Sequence, residues 1–237
     1  MKFRLIVLLI VAGMLIIVTG SVVAAVEGYL DGVTHFRHAS LRIEGGKVVY
    51  FDPYGIKGEP RDADIVFITH THDDHFIPSD IRKVLKDGGA VVITTDGVNR
   101  LKNLGYQNIL AVEPNQAHQV EGVNFTTVPA YNPDKSYHPR KNNWVGYVVT
   151  LKGVNYYIAG DTGLIPEMEE IKADVAFLPV DGVYTMKAQE AAEAAKLIKP
   201  AVAVPIHFGV VAGSRTDAEK FVSLLPAEIK GEIIQGK

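Results

Sequence analysis

The chain has 237 residues, no cysteine, 24 basic and 27 acidic side chains, and a formal net charge of −3. This slightly acidic balance lacks the basic stripe of a nucleic-acid binder. With no thiol available, disulfides are excluded and any protein metal ligand is expected to be nitrogen or oxygen.

Lys2 and Arg4 precede an uncharged stretch from Leu5 to Val26, about 22 residues and long enough to cross a hydrocarbon core as a helix. It reads either as a signal peptide cut after Val23-Ala24-Ala25 or as a retained transmembrane anchor. The two basic residues keep the short amino-terminal end in the cytoplasm. The expected placement is therefore membrane-anchored facing outward, or secreted. Residues 27–237 suit one domain of ordinary size.

Phe36 to Ile43 and Lys47 to Asp52 read as strands turned by Glu44-Gly45-Gly46. Asp64 to Thr69 is a buried strand, and Pro78 to Lys86 has helical spacing, with Pro78 in the first turn. Strand Ala90 to Thr94, helix Gly97 to Leu104 and strand Ile109 to Val112 continue this alternation. Between Val120 and Ile158 the pattern turns to hairpins, with strands at Val123 to Pro129, Val145 to Leu151 and Val154 to Ala159. Alternation then returns: helix Pro166 to Ile171, strand Val175 to Val180, helix Lys187 to Lys199, strand Val202 to Ile206 and helix Asp217 to Leu225. A capping box, Thr216-x-x-Glu219, precedes the last helix. Strands in two sequential groups, each with helices, suit an α+β fold of two sheets packed face to face with helices outside.

The densest chemistry lies in Thr69-His70-Thr71-His72-Asp73-Asp74-His75, directly after the apolar run Ile65-Val66-Phe67-Ile68. Imidazole nitrogen and carboxylate oxygen suit zinc and its first-row neighbours. On an extended segment His70 and His72 point the same way. A loop then brings Asp74 and His75 round toward a second ion.

His70-x-His72-x-Asp74-His75, followed by Gly160-Asp161-Thr162 and Ile206-His207, resembles the signature of the metallo-β-lactamase superfamily. The likeness covers roughly residues 33 to 210 and implies a four-layer αββα sandwich with one or two metal ions at one edge of its sheets. His38-Ala39-Ser40, Phe51-Asp52-Pro53, Ala159-Gly160-Asp161-Thr162-Gly163 and Leu178-Pro179-Val180 are similar to the branch holding ascorbate-6-phosphate lactonase and N-acyl-phosphatidylethanolamine phospholipase D. The resemblance makes Asp161 a metal-bridging ligand and His207 the last imidazole on the second ion. A capping aspartate and a core histidine are the plain alternatives. Asp74 and Asp161 are the residues expected to handle protons in catalysis.

One departure stands at Ala130-Tyr131-Asn132, where the family places a third imidazole for the first ion. The nearest histidine is His138, in the loop Pro133 to Asn143, which can serve as ligand, substrate contact or surface residue. Asp52 could orient a ligating imidazole, and His38 is a further candidate. The resemblance implies a hydrolase holding one or two divalent ions, zinc first, with manganese or iron possible. Its metal-activated water would cleave an ester, lactone, amide or phosphodiester bond of a small molecule or lipid. A di-iron oxidoreductase of the same fold and a non-catalytic, metal-stabilised binding module stay open as alternatives.

Overall fold

The computed structural model describes residues 28–236, and the segment 1–26 with its expected signal or anchor role lies outside them. The first sheet is built from β1 (Val33–Arg37), β2 (Ser40–Glu44), β3 (Val48–Phe51), β4 (Ala63–Phe67), β5 (Leu85–Thr94) and β6 (Ile109–Val112), side by side in chain order. β1 to β3 are antiparallel neighbours, and β3 to β6 run parallel. The second sheet repeats this plan. β7 (Ala117–Val120), β8 (Val123–Pro129), β9 (Val145–Leu151) and β10 (Val154–Ile158) are antiparallel, and β11 (Val175–Pro179), β12 (Val202–Ile206) and β13 (Lys230–Gly231) follow in parallel.

Helices α1 (Pro78–Val84) and α2 (Val98–Asn103) cover the outer face of the first sheet, and α3 (Ala188–Ile198) and α4 (Arg215–Leu224) that of the second. The result is the expected αββα sandwich. The parallel strands are apolar without alternation because both faces are buried, as in Ile65-Val66-Phe67 and Val175-Ala176-Phe177. β8 alternates instead, with Val123, Phe125 and Thr127 inward and Asn124 and Thr126 exposed. Between the sheets, Phe67 stacks on Phe51 at 5.1 Å and meets Phe125 and Tyr147, each at 5.0 Å between ring centroids. The Tyr147 hydroxyl, buried in the same layer, donates to the Ile68 carbonyl at 2.7 Å and joins the two sheets near the site. The alanines of α3 let it lie close on its sheet, with Ala188, Ala191, Ala192, Ala194 and Ala195 all buried.

Several expectations shift. The strand expected over Phe36 to Ile43 is a hairpin instead, because His38 takes a left-handed φ of +58° and reverses the chain before Ser40. Helix Pro166 to Ile171 is a 3₁₀ turn over Pro166–Glu170. The capping box of α4 uses Ser214 and Asp217 rather than Thr216 and Glu219. Strands β7 and β13 are additions at the sheet margins.

The expected placement, membrane-anchored facing outward or secreted, is corrected as well. The longest helix among the described residues is α3, with 11 residues, about half of what a hydrocarbon core requires. No helix among them is long and apolar enough to cross a membrane.

Candidate metal centre

β1 and β8 run in the same sense as the parallel strands of their own sheets, so the carboxyl ends of β1, β3, β4, β8, β10, β11 and β12 share one edge of the sandwich. The residues just beyond those ends supply the site. His38 follows β1, Asp52 follows β3, His70 to His75 follow β4, His138 lies on the loop after β8, and Asp161, Asp181 and His207 follow β10, β11 and β12. His38, Asp52, His138 and His207 all have positive φ, between +42° and +59°. Non-glycine residues reach that region only where the surroundings hold them. Here backbone bonds do so: the His207 amide donates to the His38 carbonyl, and the Asn132 amide to that of His138, each at 2.9 Å.

Six of the chain's eight histidines, His38, His70, His72, His75, His138 and His207, converge there. Asp161 lies at their centre and divides them. Its Oδ2 faces His138 Nε2 at 3.2 Å and His70 Nε2 at 3.9 Å, while His72 Nδ1 lies 3.2 Å from both imidazoles. Its Oδ1 faces His207 Nε2 at 3.1 Å and His75 Nε2 at 3.3 Å, and those two nitrogens are 3.2 Å apart. Asp74 completes the second group, with Oδ2 4.0 Å from His75 Nε2 and 3.1 Å from His38 Nε2. All seven expected site residues are thus brought together, with His138 beside His70 and His72.

The donor set fits divalent ions of the zinc type. Ligand bonds of about 2.0–2.1 Å give a tetrahedron with edges of about 3.3 Å, close to the 3.1–3.3 Å spacings around Asp161. Asp161 Oδ1 is buried and has no hydrogen-bond partner, although it points at two imidazole nitrogens. An acceptor oriented in that way has the arrangement of a metal ligand rather than of a member of a closed hydrogen-bond network.

Carboxylates behind the imidazoles fix them. Asp52 Oδ2 lies 2.8 Å from His75 Nδ1, and Asp181 Oδ2 lies 2.9 Å from His207 Nδ1. Asp52 also accepts from the Thr69 amide and hydroxyl, and that hydroxyl lies 3.0 Å from His70 Nδ1. Partners of this kind set the tautomer and orientation of a ligating ring. Trp144 packs against His70, His72 and His138 at 4.6–5.5 Å and donates its indole N–H to Asp96, which also accepts from Thr71. Sequence reasoning missed Asp181 and Asp96. Asp181 carries a faint signal, an aspartate just past an apolar strand, as at Asp52 and Asp161.

Burial disfavours charge throughout the site, yet the carboxylates override it on one side. Burial lowers the His75 pKa, but Asp161 and Asp52 raise it well above the ordinary imidazole value. For His207, burial is likewise outweighed by Asp161 and Asp181, which lift it to about 9. Burial and the neighbouring His75 push His70 well below its ordinary value. Asp161 itself is pushed up by burial and pulled well below the carboxylate range by His207 and His75.

The chain matches the family described as "Beta-lactamase superfamily domain" over residues 32–207. A UPF0173 metal-dependent hydrolase of Pyrococcus furiosus is 31% identical over 218 residues, covering 86% of this chain and 96% of the relative. The unmatched remainder of that relative is too short for an apolar span of about 20 residues. Among solved structures, a Parabacteroides distasonis protein described as a metal-dependent hydrolase is 31% identical with a TM-score of 0.73, covering 86% of this chain and 93% of that one. Igni18, a metallo hydrolase from the hyperthermophilic archaeon Ignicoccus hospitalis, is 26% identical with a TM-score of 0.69, covering 86% and 95%.

Proposed function

This chain belongs to the β-lactamase superfamily and is a metal-dependent hydrolase, and from that premise we propose that it works with two divalent ions, zinc first among them, on an ester, lactone, amide or phosphodiester bond of a small molecule or lipid. The observation that carries the reading is the Asp161 carboxylate, with one oxygen toward His70 and His138 and the other toward His75 and His207. His70, His72, His138 and Asp161 would hold the first ion, and Asp74, His75, His207 and Asp161 the second. Bound ions of this class act as Lewis acids and bring the pKa of a water near neutrality.

The chain's own groups supply the rest. Burial pushes the Asp74 carboxyl up, but its hydrogen bond from His38 and the His75 charge hold it well below the ordinary range. Asp74 is thereby kept ionised and, being half-buried, its carboxylate can accept a hydrogen bond from a water or a substrate group at the mouth of the site, with His38 Nε2 behind it. Asp52 and Asp181 keep the Nε2 atoms of His75 and His207 turned inward. The nearby Trp144 ring excludes water from one side of the first group.

Elemental analysis combined with a hydrolysis screen over carboxylic and phosphodiester substrates tests the reading. Two equivalents of metal and metal-dependent turnover are expected, and Asp161→Asn should lower the metal content and cut turnover by more than about a hundredfold, beyond the loss typical of partners behind the ligands. Native metal content and turnover in Asp161→Asn would refute the assignment.

A further inference from the structure

Five large apolar side chains are exposed among the described residues, and three of them, Tyr137 at 50%, Val183 at 53% and Val211 at 50%, ride on loops of the metal centre. Tyr137 immediately precedes His138. Val183 shares a turn with Asp181, and Val211 lies on the loop that His207 opens. Burial cannot explain their placement, because exposed side chains contribute little hydrophobic stabilisation.

Polar contacts reaching back into the centre join two of these loops, and close packing seats the third. The Asn132 side-chain amide donates to the carbonyls of Tyr137 at 2.9 Å and Tyr184 at 2.7 Å. The Tyr137 and Tyr184 rings then meet edge to face at 4.9 Å. Asp181 accepts from the amides of Val183 and Tyr184 at 2.7 and 2.6 Å, while its other oxygen faces His207. A side chain added at Gly213 would come within 2.7 Å of the Asp181 backbone, so the loop carrying Val211 lies directly against that turn. The apolar groups are therefore preorganised beside the centre, as binding sites built of apolar walls and a few fixed polar groups require.

Three of the cations on or beside these loops are already engaged. Lys135 donates to the carbonyls of Gly182 and Thr185, Arg140 pairs with Glu167 at 2.8 Å, and Arg215 pairs with Glu219 at 3.0 Å. Lys141 and Lys187 on the same loops are exposed, so what suits the rim to an uncharged group is its three exposed apolar side chains and not a lack of free charge.

We propose that Tyr137, Tyr184, Val183 and Val211 form a subsite for the apolar acyl group of a carbonyl substrate, an ester, lactone or amide, whose scissile carbon lies over the metal centre. The proposal rests on the reading of that centre as hydrolytic. Its test begins by measuring zinc uptake by the full chain. Straight-chain alkyl hydroxamates from acetyl to octanoyl, which chelate divalent ions at one end and differ only in apolar length, are then titrated into the zinc-loaded protein.

Affinity should rise by about two- to fourfold per methylene, as expected for partial to full burial of each added group. The combined variant Tyr137→Ser, Val183→Ser, Val211→Ser should keep its zinc and lose most of that dependence; Val183→Ser alone serves if the combination does not fold. A flat series in the unaltered protein overturns the proposal. So does a dependence that survives the substitutions, or displacement of octanohydroxamate by dimethyl phosphate at comparable concentration. Failure to take up zinc would refute the metal reading beneath it, and the subsite would fall with it.

Discussion

Asp161 gathers its imidazoles only because carboxylates farther back hold them in place. Asp52 and Asp181 touch no proposed ion, yet each aims a buried ring through Nδ1. Asp52→Ala and Asp181→Ala are expected to cost about 10–100-fold in metal affinity or activity, read by competition with a chromophoric chelator. The same charges determine how metal-free protein responds to pH. His207 has its pKa raised to about 9 from an ordinary 6.5. Its contribution to the metal-free fold is therefore fully present below pH 6.5 and is lost as pH rises through 9. Metal binding needs the neutral ring, so affinity should increase over the same interval with protons released. Calorimetry in buffers of differing ionisation enthalpy measures that release, and pH-independent binding would contradict it. Trp144 is the only tryptophan and lies beside His70, His72 and His138, so its emission should report filling of the first group.

At the scale of elements, the two sheets meet through a layer in which Phe67 is central. Phe67→Ala is expected to destabilise by about 3–5 kcal/mol, seen as a lower denaturant midpoint with unchanged slope. Such strands are easy to read from sequence. β4, β11 and β12 are short apolar runs, and the residues after them fall at the shared edge by topology alone. His70 to His75 was legible for the same reason, since its donors are contiguous. The hairpin at His38 was not, because a left-handed turn without glycine leaves Phe36 to Ile43 looking like one continuous strand. His138 could be narrowed only to three roles, since its position depends on how Asn132 closes the loop from Pro133 to Asn143, a contact that spacing does not encode. Asp181 was missed because what distinguishes it is its contact with His207, across two strands.

On the scale of the whole molecule, each sheet is one uninterrupted stretch of chain: β1 to β6, then β7 to β13. His38, His70, His72, Asp74 and His75 come from the first, and His138, Asp161 and His207 from the second. Ions bound between them would stabilise the native state by mass action, about 2.7 kcal/mol at a hundredfold excess over Kd. Chelation should therefore lower the melting temperature, and the loss should disappear in Asp161→Asn. The connection from Glu113 to Gln116 is all that separates the two sheets in the chain. A protease site engineered there would yield a nicked, two-fragment protein, its halves gripping one another through the aromatic layer and a shared pair of cations. In that species a chelator would act as a dissociating agent, and sedimentation would measure how strongly the metal centre clasps the two halves together.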